Sequence, residues 1–476
     1  MNVLFLFADQ HNAEYTGYNG ALTRTPALDA LAREGTVFES AYTPCPMCAP
    51  ARGSMFSGRY VYENRCWDNC FPYDGERMPG WAHYLRGKGV EMATIGKLDF
   101  APGKDCGASS TFAPYERASY DVVSLFRKPP LLLRPKYHMV NNWDVSCREG
   151  GPRLEQNIAE EACRWIREDM PADRPWVLNV NFEKPHSPWH SRKDKFDYYR
   201  PRVELKEKYR QPESELNPVD REQSRHTCGY ILDEEHVKDC HAAYHAIVEE
   251  HDENLGEVLQ ALKDAGIYDD TLIIYSADHG EMLRAHGAWE KSSMYEDSIR
   301  VPMIVKLPGC GAGERIQTPV SLLDIFPTIC EALGEAQPPQ FHGQSLLGLI
   351  RGTRTDHAPA FSESHANGRI TGTFALRKGK WKLMHYEGYG ELLFDLESDP
   401  QELHNLADCT DRLDVREALA DLRRELTEGR DLAAITREAF AAQEQLKEEM
   451  EQSGRLEKEL NKRGFHYDGN ELFYLP

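Results

Sequence analysis

"DENLGEVLQALKDAGIYDDTLIIYSADHGE", residues 252–281, decides the fold. It reads as a helix, a glycine stop at Gly266, a short apolar strand and a polar loop. The same pattern recurs along the chain. "NVLFLFA" (2–8) is a strand followed by a polar loop and the helical "TPALDALAREGTVF" (25–38). "YLRGKGVEMATIGK" (84–97) is a helix end, a turn and a strand, while "IAEEACRWIREDM" (158–170) is a helix preceding the strand "PWVLNVNFEKPH" (175–186). Helices alternating with buried strands predict an α/β fold with a largely parallel sheet flanked by helices.

In such folds ligands bind beyond the carboxyl ends of the strands. Four strand ends stand out: Asp9-Gln10, Gly96-Lys97, Lys184-Pro185-His186 and Asp278-His279. All are polar or charged. Asp278-His279 alone is a good helix N-cap, and Asp9-Gln10 alone says little. Together they supply two carboxylates, an amide oxygen and an imidazole, a set suited to one divalent cation, calcium or manganese, with the imidazole favouring a borderline metal. Arg52, Lys97 and Lys291 are candidate cations for a tetrahedral oxyanion such as sulfate or phosphate. Each alone is more often a surface charge.

Composition restricts the partners. With 56 Lys and Arg against 77 Asp and Glu, the 476-residue chain carries a formal charge of −21. Non-specific binding to nucleic acid or an anionic membrane is excluded, so an anionic substrate needs cations gathered locally. The 12 cysteines are irregularly spaced, and Cys45, Cys48, Cys66 and Cys70 lack the partners of a structural zinc site. The opening "MNVLFLFADQ" is too short to span a bilayer and lacks the marks of a leader, so a cytoplasmic address is expected.

Two domains are expected, 1–355 and 356–476. "TFALRKGKWKLMHY" (373–386) and "ELLFDLESDP" (391–400) predict a small antiparallel sheet in the second. Residues 190–245 read as a charged insertion over one edge of the main sheet, with His241 and His245 either substrate contacts or solvated helix residues. The charged tail, 412–463, reads as a solvated surface helix, an oligomer contact being the second reading.

"CAPARGSMFSGRY" (48–60) is either a turn into a buried helix or a nucleophile at a helix start, facing an anion. A helix beginning near Pro50 would fold Arg52 back toward Cys48. The stretch resembles the sulfatase signature, in which Cys or Ser is followed by x-Pro-x-Arg and a Ser/Thr-Gly pair: Cys48, Pro50, Arg52, Ser57 and Gly58 fall in place. "TIGK", "NFEKPHSPW", "DHGEMLRAHGAWEKSSMYEDSIRVPMIV" and "LFDLESDPQELHNLA" match further marks of that family in order, over residues 1 to about 410. The chain looks nearest the branch of choline sulfatases and arylsulfatase/phosphonate monoester hydrolases, where Asp-Gln and Asp-His hold the metal and an asparagine like Asn69 contacts the substrate.

The resemblance implies an alkaline-phosphatase-like fold and hydrolysis of a sulfate monoester, that of a small molecule or a saccharide. It implies that a formylglycine-generating enzyme converts Cys48 to formylglycine, whose hydrate is the nucleophile and joins Asp9, Gln10, Asp278 and His279 around the metal. Asp278 would take the hydrate's proton, Arg52, Lys97 and Lys291 would balance charge, and Lys291 or His186 would protonate the leaving oxygen. The alternative is phosphonate monoester or phosphodiester hydrolysis at the same site. A cysteine hydrolase using a thiolate is a weaker competitor, because Pro50 removes a backbone donor from the anion cradle. In one place the sequence departs from the pattern: Lys97-Leu98-Asp99 stands where the family has Lys-x-His. Asp99 is then a base, a contact for a cationic substrate, or a solvated loop carboxylate. The sequence leaves the alcohol portion of the substrate and the oligomeric state open.

Overall fold

The computed structural model describes residues 1–115, 120–134, 154–409, 411–467 and 472–474. Its centre is a sheet of eight strands among the described residues: β1 (Asn2–Asp9), β2 (Thr36–Phe38), β3 (Glu91–Lys97), β4 (Ser110–Tyr115), β5 (Trp176–Pro185), β6 (Thr271–Ala277), β7 (Met303–Lys306) and β8 (Glu314–Ile316). They run in the order β8-β2-β7-β6-β1-β5-β3-β4. All neighbours from β6 to β4 pair in parallel, and β7 alone runs against them. The four polar strand ends named from sequence therefore belong to four adjacent parallel strands, β6, β1, β5 and β3. That adjacency brings one site together at one edge of the fold.

Apolar side chains explain why these segments are strands. β1 and β6 are buried along almost their whole length, as expected where a parallel sheet is covered on both faces. The helices are α1 (Pro26–Glu34), α2 (Cys48–Ser57), α3 (Trp81–Gly87), α4 (Leu154–Arg164) and the long α5 (Glu234–Asp264). α1 and α4 each pack on α5, while Phe56 of α2 stacks on Trp81 of α3, and Trp81 on Phe326. One core, running from Val3 to Ile350, joins both helical groups to the sheet.

The second unit is an antiparallel sheet of β9 (Ala360–Ser364), β10 (Thr373–Lys378), β11 (Trp381–Tyr386) and β12 (Gly390–Asp395), in sequential order. The tail does not behave as a solvated helix. It forms α6 (Leu413–Thr427), α7 (Leu432–Gln452) and α8 (Arg455–Lys462). Val415, Leu419, Leu422 and Leu426 recur at helical spacing and bury one face of α6 with Phe374 and Leu383 of the small sheet, so the charges occupy only the other face.

Residues 190–245 build short helices and the start of α5 over a further core containing Tyr15, Trp189, Tyr199 and Trp289. His241 and His245 are buried there, bonded to Tyr15 and Thr23, so their solvated reading is overturned. The described cysteines are free and mostly buried, and no described helix is long and apolar enough to cross a membrane.

Candidate active site

Asp9 ends β1, and Gln10 follows in a left-handed conformation (φ 63°) that turns the chain across the sheet end. Asp278 and His279 follow β6 directly. Position 48 comes from the first turn of α2, where Asn69 Oδ1 accepts the Ala49 N–H at 3.0 Å and satisfies a helix-start donor. Gly58 (φ 66°) closes the same helix as its left-handed cap, and Ser57 bonds back to Ser54, so this pair shapes α2.

One donor atom each from Asp9, Cys48, Asp278 and His279 lies within 4.8 Å of all the others, and all four residues are buried. Cys48 Sγ is 3.3 Å from His279 Nε2 and 3.8 Å from Asp9 Oδ1. His279 Nδ1 bonds the Gly280 carbonyl at 3.0 Å, which turns the Nε2 lone pair toward the cluster. Burial lowers the His279 pKa despite Asp278 nearby, so the ring is neutral, the form that ligates metal. Burial acts to raise the Asp9 pKa, but nearby positive charge, Lys97 foremost and Arg52 with it, overcomes it and holds the carboxyl well below its ordinary range. Two carboxylates, an imidazole and position 48 fit a divalent cation.

Gln10 stands beside this cluster. Its Oε1 accepts from Lys291 Nζ, and its Nε2 donates to Glu281. Glu281, fully buried, also accepts the N–H groups of Leu283 and Glu290 at 2.9 and 2.8 Å. It fixes the amide orientation and was missed by sequence reasoning, although it lies three residues beyond Asp278. Asn181 on β5 was missed too; its Oδ1 faces Arg52 at 3.5 Å.

Arg52 departs from expectation. Its guanidinium is fully buried and fully engaged: Nε with Asp278 at 3.0 Å, one terminal nitrogen with Asp9 at 3.3 Å, the other with the Lys97 carbonyl at 2.6 Å. It neutralises and aligns the two carboxylates from beneath, and its fork is committed to them rather than open to a sulfate. Lys97 Nζ reaches Asp9 Oδ2 at 2.6 Å and Asp99 Oδ2 at 3.6 Å. Burial would lower the Lys97 pKa, but Asp9 and Asp99 raise it well above its usual value. Its approach depends on Gly96 (φ 85°), where a Cβ would stand 2.0 Å from the Asn181 carbonyl oxygen. Asp99 is buried in a left-handed conformation (φ 57°), so the solvated-loop reading fails. Lys291 Nζ contacts His186 Nε2 at 2.8 Å, with His186 partly exposed.

All ten residues named from sequence converge here. The thiolate reading does not fit: burial, with Asp9 adding to it, pushes the Cys48 thiol up to about 12 against the pull of Lys291 and Lys97.

A buried carboxylate–imidazole cluster at the carboxyl end of a parallel sheet, ringed by cations, is the kind of site that a hydrolase of anionic esters presents, and it could hold a metal ion. The family described as Sulfatase matches residues 1–335, and the C-terminal part of N-sulphoglucosamine sulphohydrolase matches residues 284–431. Choline-sulfatase of Rhizobium meliloti (strain 1021) is 33% identical over 436 residues, covering 86% of this chain and 82% of that protein. Human (Homo sapiens) arylsulfatase K is 30% identical over 433 residues, covering 85% and 78%. The structure of phosphonate monoester hydrolase of Agrobacterium radiobacter superposes with a TM-score of 0.74 at 25% identity, over 89% of this chain and 95% of that one. The chain belongs to the sulfatase family and is a sulfuric ester hydrolase.

Proposed function

We propose that this chain hydrolyses its sulfate monoester with a formylglycine hydrate at position 48, in a site built to hold one divalent metal, calcium or manganese. The observation that carries the reading is the convergence of Asp9, Asp278 and His279 on residue 48 within 4.8 Å. When bound, the metal would polarise the sulfuryl oxygens and acidify the hydrate. Asp9, Asp278, His279 and position 48 would hold it, and Gln10 lies beside them to complete the set. With formylglycine at position 48, Asp278 would take a proton from its hydrate, whose oxygen would bond to sulfur as the bond to the leaving oxygen breaks. Lys97 balances charge on the sulfuryl group, Arg52 aligns both carboxylates through its ion pairs, and Asn69 contacts the substrate. Lys291, paired with His186, delivers a proton to the leaving oxygen. The second hydroxyl of a formylglycine hydrate, on giving its proton to a base, would allow sulfate to leave with the electron pair of its C–O bond and the aldehyde to re-form.

The modification is tested by mass spectrometry. Tryptic peptide 34–52 holds both Cys45 and Cys48, so fragment ions must place a loss of about 18 Da on position 48. Unmodified thiol there, in protein from its native source, refutes the mechanism. Similarity to a phosphonate monoester hydrolase supports the second reading, hydrolysis of phosphonate monoesters or phosphodiesters. Rates on aryl sulfates and aryl phosphodiesters separate the two, and a large preference for the diester would favour the second.

A further inference from the structure

Lys291 sits in a backbone that its own residues do not favour. Its neighbours Glu290 (φ 64°) and Ser292 (φ 77°) are both left-handed without being glycine. Such backbone persists where the surroundings over-determine it, and here almost every peptide group is clamped. Glu281 accepts from Glu290 N at 2.8 Å, and Glu290 O accepts from Met282 N at 2.7 Å. Lys291 O accepts from Gln223 Nε2 at 2.6 Å. Ser292 N donates to Pro46 O at 3.0 Å, and Ser292 O accepts from Arg369 Nε at 2.6 Å.

Two of these clamps come from outside the catalytic loops. Gln223 lies on the helix Pro218–His226, and Arg369 lies between β9 and β10 of the antiparallel sheet. Asp220, one turn before Gln223, joins them: it accepts from an Arg369 terminal nitrogen at 2.6 Å and from Tyr386 of β11. Asp220, Gln223 and Arg369 are all buried. Arginine suits the task because its rigid fork meets a carbonyl and a carboxylate at once, a geometry lysine cannot copy.

We propose that Asp220, Gln223 and Arg369 are positioning residues for Lys291, through which the antiparallel sheet sets where the Lys291 ammonium meets Gln10 and His186. The inference rests on the reading that Lys291 and His186 protonate the leaving oxygen. A lysine side chain is long, so rotation of the peptide beneath it carries Nζ away from both partners. A purely structural clamp would be indifferent to the leaving group, whereas misplaced proton delivery penalises the poor one more.

The test uses the formylglycine-containing, metal-loaded enzyme and its Arg369→Lys and Gln223→Met variants. kcat and KM are measured on 4-nitrophenyl sulfate, which has a good leaving group, and on phenyl sulfate, which has a poor one. Loss of general-acid delivery is expected to lower kcat on phenyl sulfate by about a hundredfold. The loss on 4-nitrophenyl sulfate should be smaller by roughly a factor of ten, with KM little changed. Equal losses on both substrates, or no loss, in variants that melt like the wild type overturn the proposal. Gln223→Met removes one hydrogen bond and no charge, so it decides the matter if Arg369→Lys fails to fold. A Lys291→Met variant that loses no more on phenyl sulfate than on 4-nitrophenyl sulfate refutes the underlying reading of Lys291 and this proposal with it, and is distinguished because Asp220, Gln223 and Arg369 are then intact.

Discussion

Replacing Arg52 with methionine tests whether the guanidinium serves the carboxylates or the substrate. Methionine nearly conserves the volume, so the change removes charge and donors with little cavity. Arg52 holds Asp278 at 3.0 Å and Asp9 at 3.3 Å with no exposure to solvent. Breaking such a buried pair costs about 3–5 kcal/mol. An independent Coulomb figure agrees. Two carboxylate oxygens at the 4.8 Å limit of the cluster repel by about 3–4 kcal/mol at an effective dielectric near 20. Lys97 still neutralises part of Asp9, which keeps the total at the lower end of that range. The unfolding entropy of a 476-residue chain is roughly 1 kcal/mol per K, so metal-free Arg52→Met should melt about 3 °C below the wild type. A divalent cation restores positive charge between the same oxygens, so saturating calcium or manganese should recover much of that loss. The assay is thermal melting of both proteins with EDTA and with metal. A metal-independent deficit, or a wild-type melting temperature in EDTA, would refute the reasoning.

Gly96→Ala forces a side chain into left-handed backbone, at about 1–2 kcal/mol, and against the Asn181 carbonyl. Lower stability in denaturant melts and loss of kcat/KM through displaced Lys97 are expected, and a neutral variant would contradict the close-approach argument. Lys97→Met should raise the barrier by about 3 kcal/mol, read as a fall in kcat of roughly two orders of magnitude. The depressed Asp9 pKa gives metal-free protein stability that is full above the unfolded value of about 3.9 and lost as pH falls through the folded one. Acid melts of the wild type and Asp9→Asn should therefore converge at low pH and separate above it. His279 is neutral by burial, so proton competition for the metal should begin only below the ordinary histidine pKa of 6.5. Metal titrations that weaken already above that pH would contradict the assignment.

How far these features could be read in advance depended on their range along the chain. Apolar strands with polar ends are local patterns, and placing Asp9, Lys97, His186 and Asp278 at neighbouring strand ends needs only the rule for parallel sheets. The tail misled because its charge is on view in the sequence, whereas the stripe from Val415 to Leu426 acquires meaning only against Phe374 and Leu383. His241 and His245 misled for the same reason, being covered by segments far from them in sequence. Gln223 and Arg369 carried no local signal at all. Their partners are the Lys291 and Ser292 carbonyls, 68 and 77 residues away, and no side-chain motif records a bond to a distant backbone.

The placement of the cations explains how an acidic protein can process an anionic ester. Arg52 lies under Asp9 and Asp278, and Lys97 is shared between Asp9 and Asp99. In the protein's own charges, these two cations are largely matched by carboxylates. Lys291 meets the Gln10 amide oxygen and the His186 ring, so in formal charge Arg52, Lys97 and Lys291 only balance Asp9, Asp278 and Asp99. A surplus of positive charge for the sulfuryl group therefore depends on a divalent cation within the carboxylate cluster. Against the overall charge of −21, losing that cation should weaken substrate binding as well as chemistry. EDTA treatment should then raise KM and lower kcat together, and a change in kcat alone would show that the resident side chains suffice to attract the ester.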